Sequence, residues 1–150
     1  MAEKNINGNQ VLDAEKEIIQ KIKTMKESVL HKQICSYIKL QYPDVIFNTD
    51  LSGIKLTIGQ AKKLKSLRSS RAMPDIVIYE PRGKMHGLFL EVKKETPYKK
   101  NGELKSNEHL KEQAGMMLSL RQRNYEAFFV WTFENAKNII DTYLKLIVEC

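Results

Sequence analysis

The chain has 150 residues, 42% hydrophobic and 29% charged, with a formal net charge of +7 from 25 Lys+Arg against 18 Asp+Glu. That length fits one globular domain over 1–150 that can bury about 68–70% of its unfolded surface, and the composition argues against a disordered chain. No apolar run approaches the roughly 20 residues that a membrane-spanning helix needs, and Met1-Ala2-Glu3-Lys4-Asn5 offers no apolar stretch for a secretory signal.

Taken in chain order, residues 1–10 are polar and expected to be flexible. A helical pattern runs from about Val11 to Ile22, and a second from Lys26 to Gln41 with Leu30, Ile34, Tyr37 and Ile38 at helical spacing; Pro43 closes it. Val45-Ile46-Phe47 reads as a short strand and Leu51-Ser52-Gly53 as a turn. Ile58 to Leu67 is a basic helix with its lysine side toward solvent. Asp75-Ile76-Val77-Ile78-Tyr79 and Gly87-Leu88-Phe89-Leu90-Glu91-Val92 are nearly continuous apolar runs, as in strands buried on both faces. Between them, Glu80 to Lys84 is rich in turn residues. A polar loop over 96–106 leads to a helix over 107–123, with Ser106 as its N-cap. Ala127 to Trp131 is another buried strand, and Thr132 caps a closing helix from Phe133 to about Leu146. This order gives an α/β fold, a mixed sheet with helices on its faces. The two cysteines, Cys35 and Cys150, lack metal-ligand spacing and read as reduced thiols in an intracellular, cytoplasmic protein.

Chemistry concentrates where the two central strands meet. The first opens on Pro74-Asp75 and the second closes on Glu91-Val92-Lys93. Alternate residues of a strand share a face, so Glu91 and Lys93 project together. Pairing of the two strands brings Asp75 toward Glu91. Two convergent carboxylates call for a cation, since otherwise one of them takes a proton. A hard ion such as Mg²⁺ is held by one or two carboxylates together with waters and phosphate oxygens. Lys93 beside them can hold or activate a water and stabilise charge on phosphorus. Taken singly, such residues are usually solvated surface groups. Two more polar residues interrupt apolar stripes, however. Glu27 shares the sector of Leu30, Ile34 and Ile38, and a plainer account makes it a first-turn glutamate favoured by the helix dipole. Gln113 lies among Leu110, Ala114 and Met117, where a buried amide needs a partner. Lys62, Lys63, Lys65, Arg68, Arg71, Lys93, Lys94, Lys99 and Lys100 flank these acids, a distribution suited to phosphates.

Pro74-Asp75 … Glu91-Val92-Lys93 resembles the PD-(D/E)xK motif of the restriction-endonuclease-like superfamily. The finer similarity is to the VRR-NUC family, in particular its small stand-alone phage versions. It rests on Arg71 to Ile76, the strand Gly87 to Lys93, Gln113, Asn124-Tyr125-Glu126-Ala127 and Ala136 to Leu144, and covers about 25–145. The resemblance implies a mixed central sheet flanked by helices, an αβββαβ core with an extra N-terminal helix. It implies Asp75, Glu91 and the Val92 backbone carbonyl as ligands of Mg²⁺ or Mn²⁺, and Lys93 as catalytic. Glu27 would support the metal, through water, and Gln113 would position water or phosphate. The implied activity is endonucleolytic hydrolysis of DNA, with branched DNA or nicked duplex as substrates and a homodimer as the form that makes paired incisions. Two departures stand out: Ala72 occupies a place where the family usually has Gly, and the loop over 96–107 is longer than in many relatives. The rival readings are a catalytically inactive DNA-binding module of the same fold and an α/β interaction protein with a basic face.

Overall fold

The computed structural model describes residues 8–50 and 54–147. The elements, in order, are α1 (Gly8–Gln41), β1 (Phe47–Thr49), α2 (Ile58–Leu67), β2 (Ile76–Ile78), β3 (Leu88–Val92), α3 (Glu108–Arg121), β4 (Glu126–Val130) and α4 (Phe133–Leu144). The sheet has the order β1-β2-β3-β4. Its first two pairings are antiparallel and the third, β3 with β4, is parallel. The expected mixed sheet is therefore present.

Several boundaries differ from the sequence reading. The two N-terminal helices are one helix of 34 residues. Lys23-Thr24-Met25 interrupts the apolar periodicity but contains no Gly or Pro, so nothing stops the backbone ladder there. Glu27 is consequently mid-helix, and a first-turn dipole account of it falls. β1 lies two residues beyond the expected run, on polar Asn48 and Thr49, because its place is set by pairing Phe47 with Ile78 and Thr49 with Ile76. Asn107 caps α3 in place of Ser106, its side chain accepting from the Leu110 N–H at 3.0 Å. Thr132 caps α4 as expected, accepting from the Asn135 N–H at 3.1 Å. The polar loop after β3 carries a small bridge of its own, Tyr98 with Leu104. Of the start expected to be flexible, 1–10, residues 8–10 belong to α1 and 1–7 lie outside the described residues, as do the expected turn at Leu51-Ser52-Gly53 and Cys150. Cys35 is a free thiol on α1.

One sheet face carries Ile76, Ile78, Leu88, Leu90, Val92 and Val130 and packs on Leu30, Ile34 and Ile38 of α1 and Ile140 and Tyr143 of α4. Each such side chain contributes roughly 1.5–3 kcal/mol by leaving water. The other face brings Phe89, Ala127 and Phe129 against Leu110, Met117 and Leu120 of α3. Glu91 alternates with Leu90 and Val92, and so falls on the Phe89 side, which α3 covers. Burial on both faces is only partial: Glu91 of β3 is buried on the α3 side, but Phe89 beside it and Val77 of β2 stay part-exposed. Among the described residues, no helix is long and apolar enough to cross a membrane.

Candidate active site

Asp75 immediately precedes β2. The ladder pairs Ile76 with Leu90, and one further step sets Asp75 opposite Glu91. Both neighbouring strands hold Asp75. Asp50, the residue after β1, donates its N–H to the Asp75 carbonyl at 2.7 Å, and the Val92 N–H donates to Asp75 Oδ2 at 2.8 Å. Within a strand the N–H and C=O of one residue point to the same side, so the Val92 carbonyl faces the Asp75 side. The Lys93 N–H points the other way, to the Val130 carbonyl at 2.7 Å. Ala72 is buried, and its φ is not positive, so this backbone accepts a residue other than glycine without strain.

Asp75, Glu91 and Gln113 are only 7%, 4% and 5% exposed. The Gln113 amide donates to Glu91 Oε1, and the Lys93 ammonium stands 3.2 Å from that same oxygen. Burial, and after it repulsion from Asp75, pushes the Glu91 carboxyl up to about 8, against the opposing pull of Lys93; Glu27 adds to the rise. Glu27 reaches this cluster from α1. Burial lifts its carboxyl above the usual range, Asp75 lifts it further, and Lys93 and Lys94 draw it back.

One cleft of about 270 Å³ is lined by Glu27, Asp75, Glu91, Val92, Lys93 and Gln113. Every residue singled out from the sequence thus reaches the same cavity. Arg68 and Arg71 of the basic flank line it too, and three more residues of the cleft, His31, Asp50 and His109, escape the sequence reading. Arg68 pairs with Asp50, and the His31 ring is hydrogen-bonded to the Thr49 hydroxyl. Only the pairing of β1 with β2 locates Asp50, and no local pattern marks it.

Two features bear on whether a divalent cation fits. Buried carboxylates that repel one another are stabilised by a cation between them. The Gln113 Oε1 is buried and has no hydrogen-bond partner, which leaves an acceptor for a water or another donor. Among the described residues no group of three or more His, Cys, Asp or Glu side chains is spaced to hold a metal ion. The groups that line the cleft at this point, the Asp75 and Glu91 carboxylates and the backbone of Val92, offer oxygen atoms only. That set suits Mg²⁺, which keeps several of its own waters.

The described residues form a mixed sheet flanked by helices, with two acids and a lysine at the end of its central hairpin. The chain is similar over 82% of its length to the solved structure of a VRR_NUC domain protein, covering 91% of that chain, with a TM-score of 0.57 and 21% sequence identity. It therefore has the VRR-NUC fold. No protein-family profile and no curated protein matches the sequence.

Proposed function

We propose that this chain is a nuclease that hydrolyses DNA phosphodiester bonds with Mg²⁺ or Mn²⁺. The observation that carries the reading is the placement of Asp75 across from Glu91 at the end of the β2–β3 ladder, with Lys93 3.2 Å from Glu91 Oε1. Asp75, Glu91 and the Val92 carbonyl would hold the ion, with Glu27 supporting it through water. A divalent ion held there would supply Lewis-acid chemistry to a phosphoryl oxygen and to a water.

The remaining work belongs to the side chains. Lys93, held by Glu91, offers its N–H donors to a phosphate oxygen and stabilises the charge that develops on it. Gln113 holds Glu91 through its amide hydrogens and leaves its Oε1 to accept from a water. Water then attacks phosphorus in line with the leaving oxygen. Arg68 and Arg71 at the cleft suit the flanking phosphates.

The test is cleavage of linear, nicked, flapped and four-way DNA with Mg²⁺, with Mn²⁺ and with chelator. Cleavage that requires the metal and is lost in Asp75→Ala and Lys93→Ala, both still folded, supports the reading. Unchanged cleavage by either variant defeats it. Salt-sensitive DNA binding without metal-dependent cleavage would favour the inactive binding module.

A further inference from the structure

Among the described residues between β1 and Asp75, none belongs to the two hydrophobic clusters of the core. From Leu51 to Pro74 the sequence has no Asp, Glu, Phe, Tyr or Trp, yet it carries Lys55, Lys62, Lys63, Lys65, Arg68 and Arg71. α2 occupies its middle and buries no residue. Ile58 and Leu67 at its two ends are 81% and 74% exposed. An isolated helix shorter than about 12–15 residues is marginal in water, and this one has ten. Its local support is a capping box, in which Thr57 and Gln60 satisfy each other's backbone N–H groups. Lys62, Lys63 and Lys65 are exposed, and among the described residues none of them forms an ion pair with a carboxylate.

The far end of this arm is anchored at the cleft. Arg68 is the C-cap of α2, pairs with Asp50 and lines the cavity. Arg71 also lines it and grips Glu112 of α3 with two donors, its Nε at 2.8 Å from Oε2. The arm therefore runs from the unpaired lysines of α2 to the mouth of the Asp75/Glu91/Lys93 site, where Arg68 and Arg71 are each matched by a carboxylate.

We propose that α2 and the residues after it form a clamp for the phosphate backbone of duplex DNA, which it guides into the cleft. This deepens the nuclease reading and rests on it. Charge complementarity selects a polyanion. Single strands are usually gripped by stacking bases on aromatic rings. Neither this arm nor the cleft lining offers a Phe, Tyr or Trp side chain. Backbone contact is what remains, and a duplex presents one charge per roughly 1.7 Å of axis. At about 1.5 Å per residue, α2 spans roughly 15 Å, a little under half of a DNA turn of about 34–36 Å.

The experiment compares the 150-residue chain with the variant Lys62→Gln, Lys63→Gln, Lys65→Gln. Duplex binding is measured in chelator across about 50–200 mM salt, where each lost phosphate contact lowers the slope of log K against log salt by about 0.9. The variant should show a slope shallower by about 2 to 3 and a KM raised about tenfold or more, with kcat at saturating duplex unchanged. Because the three side chains are exposed, the thermal midpoint should stay in place, and the corresponding triple Lys→Arg variant should behave as wild type. A slope equal to wild type, or a fall in kcat with KM unchanged, overturns the clamp. An equal loss on a single strand of the same length overturns its assignment to duplex. If the wild-type chain cleaves nothing with Mg²⁺, the nuclease reading fails, while the salt slope still decides whether α2 binds the backbone.

Discussion

Val92 donates its backbone N–H to the buried carboxylate of Asp75 at 2.8 Å, so the acid before β2 is fixed by the last residue of β3. A side-chain carbonyl can accept that same bond. Asp75→Asn should therefore keep the fold while removing the charge that repels Glu91 and Glu27. In chelator the variant should be as stable as wild type or more so, with a thermal midpoint up by about 2–4 °C for each kcal/mol of repulsion relieved. Cleavage should fall by at least about a hundredfold, the scale of losing a group that stabilises the transition state. Calorimetry paired with a cleavage assay checks both. A large fall in the midpoint would mean that the charge itself holds the β2–β3 end together.

Gln113 touches Glu91 with its amide while its Oε1 has no partner. Gln113→Leu keeps the volume and the helix propensity, removes the unsatisfied acceptor and takes one donor from Glu91. The two stability effects oppose each other, each of about 1–3 kcal/mol, so the net change should be small. Activity should fall about 10- to 100-fold, as is usual when a partner that orients a metal ligand is removed. Titrating Mg²⁺ against rate would show whether the loss lies in metal affinity. Unaltered activity would strip Gln113 of its role.

The site was legible where it depends on local periodicity. The two-residue repeat of the β3 strand puts Glu91 and Lys93 on one face, and a polar residue inside an apolar helical stripe marks Gln113 and Glu27. What stayed hidden depends on which strands pair. Asp50 reads as an ordinary polar residue until the β1–β2 register sets it beside Asp75. Likewise His31 and His109 reach the cleft from α1 and α3, with no spacing to announce it. The continuous α1 shows the opposite limit: an interruption of apolar pattern at Lys23-Thr24-Met25 looks like a helix end, although hydrophobic period reports burial and not backbone continuity. Edge strand β1 is misplaced for a related reason, since an edge needs no apolar alternation and is located by its partner.

Gly87 precedes β3, and a Cβ there would meet the Ile78 carbonyl oxygen at 2.7 Å. That oxygen belongs to the paired strand β2, so it cannot swing aside as a side chain would. Gly87→Ala should cost about 1–3 kcal/mol, the range for overpacking, and should be read as a lower urea midpoint at unchanged m-value. Because the clash lies at the opposite end of β3 from Glu91, residual folded protein should still cleave at the normal rate per folded molecule. A midpoint equal to wild type would show that the hairpin has room to open.

Asp141 gathers α1 and α4. The hydroxyls of Tyr37 and Tyr42 donate to its Oδ1 at 2.6 and 2.7 Å, and Lys137 reaches its Oδ2 at 2.8 Å. Burial pushes this carboxyl up, but the bonds from Lys137, Tyr37 and Tyr42 outweigh it and hold the group at about 2. The unfolded chain takes up this proton near 3.9, so the folded value is depressed. The resulting stability is present in full above about pH 5 and is lost as pH falls through 3.9 toward 2. Partial exposure discounts it to about 1–2 kcal/mol. Asp141→Asn should therefore lower the urea midpoint at pH 7, and the gap from wild type should narrow steadily between pH 5 and pH 2. A gap that stays constant across that range would mean that the Asp141 contacts act through shape and not charge.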